Sequence, residues 1–358
     1  MALPTFDSGA RKKRDQMLAI DLGGRTTKAV YLQRRGGEIN LNRYALLDAP
    51  VYDRTLSVEL LTEHLKSVTQ ALDAKTKLLT VALGVNDALV RHVEMPRIPA
   101  DEMRQVLKIN TKSYLQQDLP NHVFDCHVLG GQAPAEGGNA AKSALSGQRQ
   151  RVLVAGARKQ LVDDFLEAAR SVGLSAECIV PGLVCPCNAF EKALPDAFAN
   201  HVVALVDIGF RGSSICILDH GELVLSRVVT LGGDRLTQGL ADSMGISYAE
   251  AEGIKLGMPH EVQPQLEAMV SPLGRELRAS IDFFEHQQDR PVSQVFVAGG
   301  SALSELILQA LQTEMMVECR TWNPAETLHL ALSSEQTEEF SQVASQLTVA
   351  LGAAFTAL

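Results

Sequence analysis

Short apolar runs alternate along the chain with segments in which apolar residues recur every three or four positions. The apolar runs predict strands at residues 17–22, 27–32, 38–44, 78–83, 202–207 and 295–298. Apolar residues at helical spacing predict helices at residues 60–72, 161–172, 236–244, 266–284 and 303–311. This alternation of strands and helices predicts an α/β architecture.

Residues 85–129 interrupt the alternation and predict a small module of their own. Strands are predicted at residues 89–95 and 123–129, with a helix after Pro99 between them. That helix is expected to present one mixed face, formed by Met103, Val106, Leu107, Asn110 and Tyr114. The following residues 130–150 contain Gly, Ala, Ser and Gln with hardly a large apolar residue, which predicts a long, mobile surface loop.

One sequence pattern occurs twice. Residues 19–32 and 205–218 each form an apolar strand, then Asp-x-Gly-x-x-x-Thr or Ser, then a second apolar strand. The equivalent positions are Asp21 and Asp207, Gly23 and Gly209, Arg25 and Arg211, and Thr27 and Ser213. Two copies in the same frame imply two similarly folded halves, whereas a single Asp-x-Gly could be only a turn.

The residue types in this repeat suit a nucleotide bound with magnesium. An Asp at the end of a buried strand can hold a Mg²⁺-bound water, because Mg²⁺ prefers oxygen ligands and keeps several waters. Gly lets the backbone approach a phosphate, which turn N–H groups and hydroxyls can bind. Two facing hairpins would therefore clamp a triphosphate, with Asp21 and Asp207 holding the metal through water. The side chains expected to face the phosphates are Thr26, Thr27, Lys28 and Ser213.

Together with the repeat, three stretches resemble the actin-like ATPase superfamily, which includes sugar kinases, heat-shock chaperone ATPase domains and actin. Residues 295–302 resemble its adenosine motif, residues 230–237 the loop that enters the second half, and residues 245–255 a helix beside the nucleotide. The resemblance implies contacts of Glu252 and Lys255 with ribose and adenine, with a plain surface ion pair as the alternative. The full set of expected nucleotide-binding residues is Asp21, Gly23, Gly24, Arg25, Thr26, Thr27, Lys28, Asp207, Gly209, Ser213, Gly232, Gly233, Glu252, Lys255, Gly299, Gly300 and Ser301.

Within this superfamily, residues 17–358 resemble the PilM family of type IV pilus assembly proteins. The resemblance is carried by residues 21–28, in which Lys28 follows two hydroxyl residues, and by residues 93–99 leading into residues 114–120. It implies an actin-like (ribonuclease H-like) duplicated fold with a nucleotide cleft between two halves. It also implies an extra small α+β subdomain in the first half.

The resemblance also implies what the protein binds. The expected cofactors are ATP and Mg²⁺, and the expected partner is the N-terminal cytoplasmic tail of a PilN-like inner-membrane protein, held in a nucleotide-stabilised manner. The protein is then expected in the cytoplasm, at the inner membrane only through its partner, with self-association left open. The residues expected to line the peptide groove are Val93, Met95, Val106, Asn110 and Tyr114.

One segment departs from the pattern of actin-like ATPases. These proteins orient the attacking water with an acid or Gln near the junction that residues 178–187 occupy here, and this stretch contains no Asp, Glu or Gln. The chain is therefore expected to hydrolyse ATP slowly or not at all. Two cysteines of this stretch, Cys185 and Cys187, have no second Cys or His pair at zinc-site spacing and are expected to be structural.

Composition narrows the remaining possibilities. Hydrophobic residues make up 46% of the 358 residues and charged residues 21%, which excludes disorder as the dominant state. A net charge of -9 and 5% aromatic residues argue against nucleic-acid binding. The basic residues 11–14 are expected to form a solvated tail, with weak attraction to an anionic membrane as the alternative.

The predicted organisation is a basic tail at residues 1–16, a first half at 17–201, a second half at 202–346, and a segment at 347–358 that packs back on the first half. Three other functions stay open at this point. They are a small-molecule kinase of the same superfamily, a filament-forming ATPase like FtsA, and a structural relative that has lost ATP.

Overall fold

The computed structural model describes residues 14–51, 56–130 and 148–358. The predictions for residues 1–13, and most of the loop predicted at residues 130–150, lie outside these described residues. The strands are β1 (Gln16–Leu22), β2 (Thr26–Arg35), β3 (Glu38–Asp48), β4 (Leu78–Leu83), β5 (Ala88–Pro96), β6 (His122–Val128), β7 (Arg149–Arg158), β8 (Ser175–Pro181), β9 (Val202–Ile208), β10 (Ser213–Asp219), β11 (Glu222–Val229), β12 (Gln294–Ala298), β13 (Cys319–Thr321) and β14 (His329–Leu330). The helices are α1 (Val58–Leu72), α2 (Ala100–Ile109), α3 (Thr111–Leu115), α4 (Lys159–Ser171), α5 (Cys185–Ala193), α6 (Pro195–Asn200), α7 (Gly233–Met244), α8 (Tyr248–Gly257), α9 (Gln263–Gln288), α10 (Glu305–Met315), α11 (Ser334–Val343) and α12 (Thr348–Phe355).

Two sheets repeat one topology. The first has the strand order β14-β3-β2-β1-β4-β8, and the second has the order β11-β10-β9-β12-β13. In each, a central strand pairs antiparallel with the next strand along the chain and parallel with a later one, β4 for β1 and β12 for β9. The sequence repeat therefore corresponds to two hairpins in equivalent positions of two similar halves.

Local signals begin and end the helices as the sequence predicts. The Ser247 hydroxyl accepts a hydrogen bond from the backbone N–H of Glu250, and the Glu250 carboxylate accepts one from the backbone N–H of Ser247 at 2.8 Å. This reciprocal pair satisfies two donors at the start of α8. Gly173 follows α4 with a φ of +76°, a conformation that costs glycine little.

The small module extends further along the chain than residues 85–129. Its sheet has the order β5-β7-β6, so that β7 forms the centre by pairing antiparallel with both neighbours. The predicted single helix is also wrong, because α2 ends at Ile109 and α3 begins at Thr111. Asn110 lies between them with φ −136° and ψ 52°, outside helical geometry, so the mixed face does not run through to Tyr114.

The chain returns to the first half at β14, earlier than the predicted residue 347. β14 pairs parallel with β3, and Phe340 of α11 packs edge to face on Tyr44 with 5.3 Å between ring centroids. α12 then packs against β1 and α5. A Cβ atom at Gly352 would lie only 1.9 Å from the carbonyl oxygen of Cys185, so the approach of α12 to α5 requires glycine.

Candidate functional site

Each hairpin carries its aspartate near the end of the central strand. Asp21 lies opposite Lys28 in the β1–β2 pairing, and the Lys28 Nζ is 3.3 Å from Asp21 Oδ2. Asp207 lies opposite Ser214 in the β9–β10 pairing, and Ser214 is buried. The first aspartate thus has a cationic partner on its own hairpin, whereas the second faces a neutral residue.

The surroundings of Asp207 disfavour its ionised form. The pKa of Asp207 is raised to about 6, because burial raises it more than the charge of Lys28 lowers it, and the charge of Asp21 adds a smaller increase. Burial, followed by the charges of Asp21 and Asp207, also raises the pKa of the Cys185 thiol well above its usual value. The two aspartates therefore form a compact anionic centre beside Lys28, with a neutral thiol next to them.

A cavity of about 620 Å³ opens between the halves at this centre. Predicted residues from both hairpins, from α7, α8 and from the end of β12 line it. They are Asp21, Arg25, Thr26, Lys28, Asp207, Gly209, Gly233, Glu252, Lys255, Gly299, Gly300 and Ser301.

Two glycines allow the backbone to come together on the second-half side of the cavity. Gly299 has a φ of +94°, and a Cβ atom there would lie 2.4 Å from the carbonyl oxygen of Ile208. A Cβ atom at Gly232 would lie 2.5 to 2.6 Å from backbone atoms of Phe210, Gly209 and Gly212. These contacts bring the end of β12 and the start of α7 against the second hairpin.

Two predicted hydroxyl groups do not face the cavity. Thr27 is fully buried, with its Oγ1 2.7 Å from His64 Nε2, and Ser213 is fully buried and donates to the Leu231 carbonyl at 2.6 Å. Because successive side chains of a strand point to opposite faces, Thr27 cannot share the face of Thr26 and Lys28. The predicted contacts of Thr27 and Ser213 with phosphate are therefore wrong, because both side chains are buried and hydrogen-bonded within the protein.

Three predicted glycines shape the turns without lining the cavity. A Cβ atom at Gly23 would lie 2.4 Å from the Thr26 carbonyl oxygen, and one at Gly24 would lie 2.9 Å from the Arg211 Cγ atom. Gly232, as described above, packs on the second hairpin. Gly23 and Gly24 thus permit the tight turn of the first hairpin and the crossing of Arg211 over it.

Glu252 is the centre of a buried polar network. Its Oε2 atom lies 2.7 Å from Lys255 Nζ and accepts from Thr237 Oγ1 at 2.5 Å, while its Oε1 atom accepts from Arg25 Nη1 at 2.5 Å. Lys255 is 8% exposed and also donates to Thr237 Oγ1 at 2.6 Å. Burial raises the pKa of Glu252, but the hydrogen bonds from Lys255 and Thr237 and the charges of Lys255 and Arg25 outweigh this and lower it. The pair is therefore a buried, cross-linked unit rather than a surface ion pair.

Sequence reasoning missed part of the cavity wall. Phe210, Leu256, His260, Leu303, Ser304 and Gln346 also line it. Leu256 comes directly after the predicted helix of residues 245–255 and is 68% exposed, but this exposure could not be predicted from the sequence. Gln346 comes from the C-terminal part of the chain, and no motif there pointed to the cavity.

The five predicted groove residues do not form one continuous surface. Met95 is fully buried in the core of the module, and Val106 and Tyr114 are half-buried against that core. Asn110 is exposed and accepts from Ser113 Oγ at 2.6 Å. Val93 packs on the same core and also lines a separate cavity of about 760 Å³, shared with β11 and α9 of the second half. Met95 is therefore unavailable to a peptide, because the strand directs it inward.

Residues 178–187 form the junction between β8 and α5, and it contains no Asp, Glu or Gln. Glu177 lies toward the start of β8 and forms an ion pair with Arg14 at 2.6 Å. Cys185, at the start of α5, is the junction residue close enough to the two aspartates for their charges to raise the pKa of its thiol.

The described part of the chain holds no group of three or more His, Cys, Asp or Glu residues able to bind a metal ion by themselves. None of the helices in the described ranges has the length and apolar character that crossing a bilayer requires.

Comparisons with known proteins agree with this geometry. The solved PilM–PilN type IV pilus biogenesis complex is 22% identical, with a TM-score of 0.80 over 96% of this chain and 98% of that one. The ethanolamine utilization protein EutJ from Carboxydothermus hydrogenoformans is 14% identical, with a TM-score of 0.54 over 97% of this chain and 92% of that one. MreB5 of Spiroplasma citri bound to AMPPNP is 10% identical, with a TM-score of 0.51 over 95% of each chain. These similarities confirm the predicted actin-like fold.

Sequence comparisons extend the result to the family. The cell division protein FtsA of Bacillus subtilis is 35% identical over 75 residues, which are 21% of this chain and only 17% of FtsA. The family model for the type IV pilus assembly protein PilM matches residues 19–358. The chain therefore belongs to the PilM family of type IV pilus assembly proteins, which have an actin-like fold.

Proposed function

We propose that this protein is an ATP-binding adaptor of the type IV pilus assembly complex at the cytoplasmic side of the inner membrane. ATP with Mg²⁺ would bind between the two hairpins, and the module would hold the N-terminal cytoplasmic tail of a PilN-like membrane protein. The observation that supports the nucleotide site is the meeting of Asp21, Asp207 and Lys28 at a glycine-lined cavity between the halves.

The donor set fits a hydrated magnesium ion. Asp21 and Asp207 are oxygen donors, and the raised pKa of Asp207 marks a buried carboxylate that a cation would compensate. Because two carboxylates cannot complete six ligands, Mg²⁺ would be held through waters and nucleotide oxygens. When bound, the ion would neutralise phosphate charge. Lys28 and Thr26 line the cavity beside this centre and would bind phosphate oxygens, and Glu252 would accept from ribose hydroxyls.

We infer slow hydrolysis or none, because residues 178–187 supply no acid or Gln and the junction presents Cys185 to the aspartates. The expected result of a phosphate-release assay is a turnover well below ~1 per second, the low end of ordinary enzyme rates. A turnover of that size or faster would show that another residue orients the attacking water.

The module offers two surfaces to an extended tail. One is the cavity beside Val93, between the module and the second half, and the other is the exposed region around Asn110. An extended peptide could gain backbone hydrogen bonds at the edge strand β5 and bury alternate side chains. ATP contacts both halves in this proposal and would favour the tail by holding them together. Self-association is left open in this proposal.

A peptide titration tests the adaptor role and locates the tail. A labelled peptide with the N-terminal sequence of the PilN-type protein from the same pilus system is titrated with wild type, Val93→Lys and Asn110→Lys. Val51→Lys serves as the control, since Val51 is 92% exposed and outside the module. We expect one module variant to weaken binding at least about tenfold, and ATP to tighten wild-type binding. Because the coupling between two binding sites is reciprocal, the peptide must increase the affinity for ATP by the same factor by which ATP increases the affinity for the peptide. Equal affinities for all variants would place the tail elsewhere.

A further inference from the structure

Arg25 crosses the cleft from the first half to the second. It lies on the turn of the first hairpin, and its Nη1 atom is 2.5 Å from Glu252 Oε1 on α8. Its guanidinium carbon lies 5.8 Å from the centre of the Phe210 ring, on the turn of the second hairpin. The side chain is 47% exposed and lines the cavity between the halves. Both of these contacts are with second-half residues.

One of the two carboxylate oxygens of Glu252, Oε1, can change its hydrogen-bond partner. Lys255 and Thr237 hold Oε2, and Lys255 is buried, so this side of the carboxylate is fixed. The Oε1 atom bonds Arg25, whose side chain is the more exposed partner. A ribose hydroxyl that binds Glu252, as the proposed function requires, must therefore share or replace the Arg25 contact.

We propose that Arg25 makes the site selective for nucleoside triphosphates. This inference rests on the proposed nucleotide site. When ribose engages Glu252, the guanidinium exchanges the carboxylate for the terminal phosphate, which the first hairpin turn would face. A guanidinium binds phosphate through strong, charge-assisted hydrogen bonds. A nucleoside monophosphate would compete with Arg25 for Glu252, but its single phosphate lies next to the ribose and would not reach the first hairpin turn, so it would bind at a disadvantage.

The sequence repeat supplies a matched control. Arg211 occupies the position equivalent to Arg25, but its side chain packs over Gly24, and its charge lowers the pKa of Asp87 against the larger effect of burial. Arg211 is not among the residues that line the cavity. Substitution of either arginine removes one positive charge near the cleft, but only Arg25 is placed to bind a nucleotide phosphate.

The test measures ATP, ADP and AMP affinities by titration calorimetry for wild type, Arg25→Gln, Arg25→Lys and Arg211→Gln. We expect Arg25→Gln to weaken ATP binding at least about tenfold while AMP binding stays equal or tightens, because the competing ion pair is gone. Arg25→Lys should retain part of the ATP preference, and Arg211→Gln should keep the wild-type ratio.

Two outcomes separate this inference from the proposed function. If wild type binds ATP and Arg25→Gln leaves the ATP-to-AMP affinity ratio unchanged, Arg25 is only a structural bridge and the inference is wrong. If wild type and Arg211→Gln bind no nucleotide, the proposed nucleotide site fails and the inference fails with it.

Discussion

The two hairpins share one backbone pattern but differ in the charges beside their aspartates. In the first, Asp21 lies 3.3 Å from Lys28, and in the second the position opposite Asp207 is the neutral, buried Ser214. The pKa of Asp207 is raised to about 6, chiefly by burial. Duplication of the fold thus preserved the geometry of the cleft, while its charges became specialised. In the proposed site, the first hairpin would provide cations for phosphates, and the second provides a buried carboxylate.

The repeated arginines show the same divergence. Arg25 reaches into the cavity and bonds Glu252, whereas Arg211 covers Gly24 outside the cavity lining. Equivalent sequence positions therefore serve different purposes in the two halves. A motif match alone does not assign a side chain to the ligand.

The largest effect is expected from Lys28→Ala. The substitution removes the cation beside Asp21, and with it a charged hydrogen bond to phosphate, so ATP affinity should fall about 100-fold, or by about 3 kcal/mol. Ser214→Ala, at the equivalent position of the second hairpin, should change the affinity less than about twofold. Titration calorimetry checks both variants, and similar losses for the two would break the proposed asymmetry.

A second comparison concerns the stability cost of the buried carboxylate. The pKa of Asp207 is raised in the folded protein from 3.8 to about 6, so Asp207 is protonated more readily there than in the unfolded chain. The contribution of Asp207 to the stability of wild type therefore falls as pH rises from about 4 through 6. Asp207→Asn removes this penalty and should raise the free energy of unfolding at pH 7.5 by at most about 3 kcal/mol, with no gain at pH 4.

Urea unfolding of wild type and Asp207→Asn between pH 4 and 7.5 measures this difference. Asp21→Asn is the comparison variant. It relieves only the smaller effect of the Asp21 charge on Asp207 and removes the carboxylate partner of Lys28, so its gain should be smaller than that of Asp207→Asn. A pH-independent difference between Asp207→Asn and wild type would show that burial of the charge is not its cause.

The smallest effect separates two adjacent hydroxyls of the first hairpin. Thr26 lines the cavity, whereas Thr27 is buried against His64. Thr26→Val should weaken ATP binding about fivefold, the loss of one ordinary hydrogen bond. Thr27→Val should leave ATP affinity unchanged and lower the free energy of unfolding by about 1 kcal/mol. The reverse pattern would restore the phosphate contact that the sequence predicted for Thr27.

The local pattern was sufficient to predict the hairpins, most helices and the duplicated fold, because the two copies of Asp-x-Gly lie in matching apolar strands. The local pattern was insufficient where strand pairing between distant parts of the chain determines the structure. The central place of β7 in the module depends on pairing with β5 and β6, and the early return of the chain depends on β14 joining β3. Neither pairing leaves a signal within a short window of sequence.

The candidate site follows the same division. Asp21, Asp207 and Gly209 could be found from the repeat because their chemistry depends on backbone position. Lys28 and the glycines at residues 232–233 and 299–300 came instead from the resemblance to known families. Thr27 and Ser213 were misplaced because the motif gives a residue type but not the face of the strand. Gln346 and Leu303 were missed because they reach the cavity only through packing of later segments.

The central claim is that both hairpins hold one magnesium–ATP complex, and titration calorimetry of ATP with and without Mg²⁺ tests it most directly. The wild-type protein, Asp21→Ala and Asp207→Ala are compared at pH 7.5, above the pKa of Asp207. We predict that Mg²⁺ tightens ATP binding to wild type and that each variant loses most of this gain. Mg²⁺-dependent affinities equal to wild type in both variants would contradict the account.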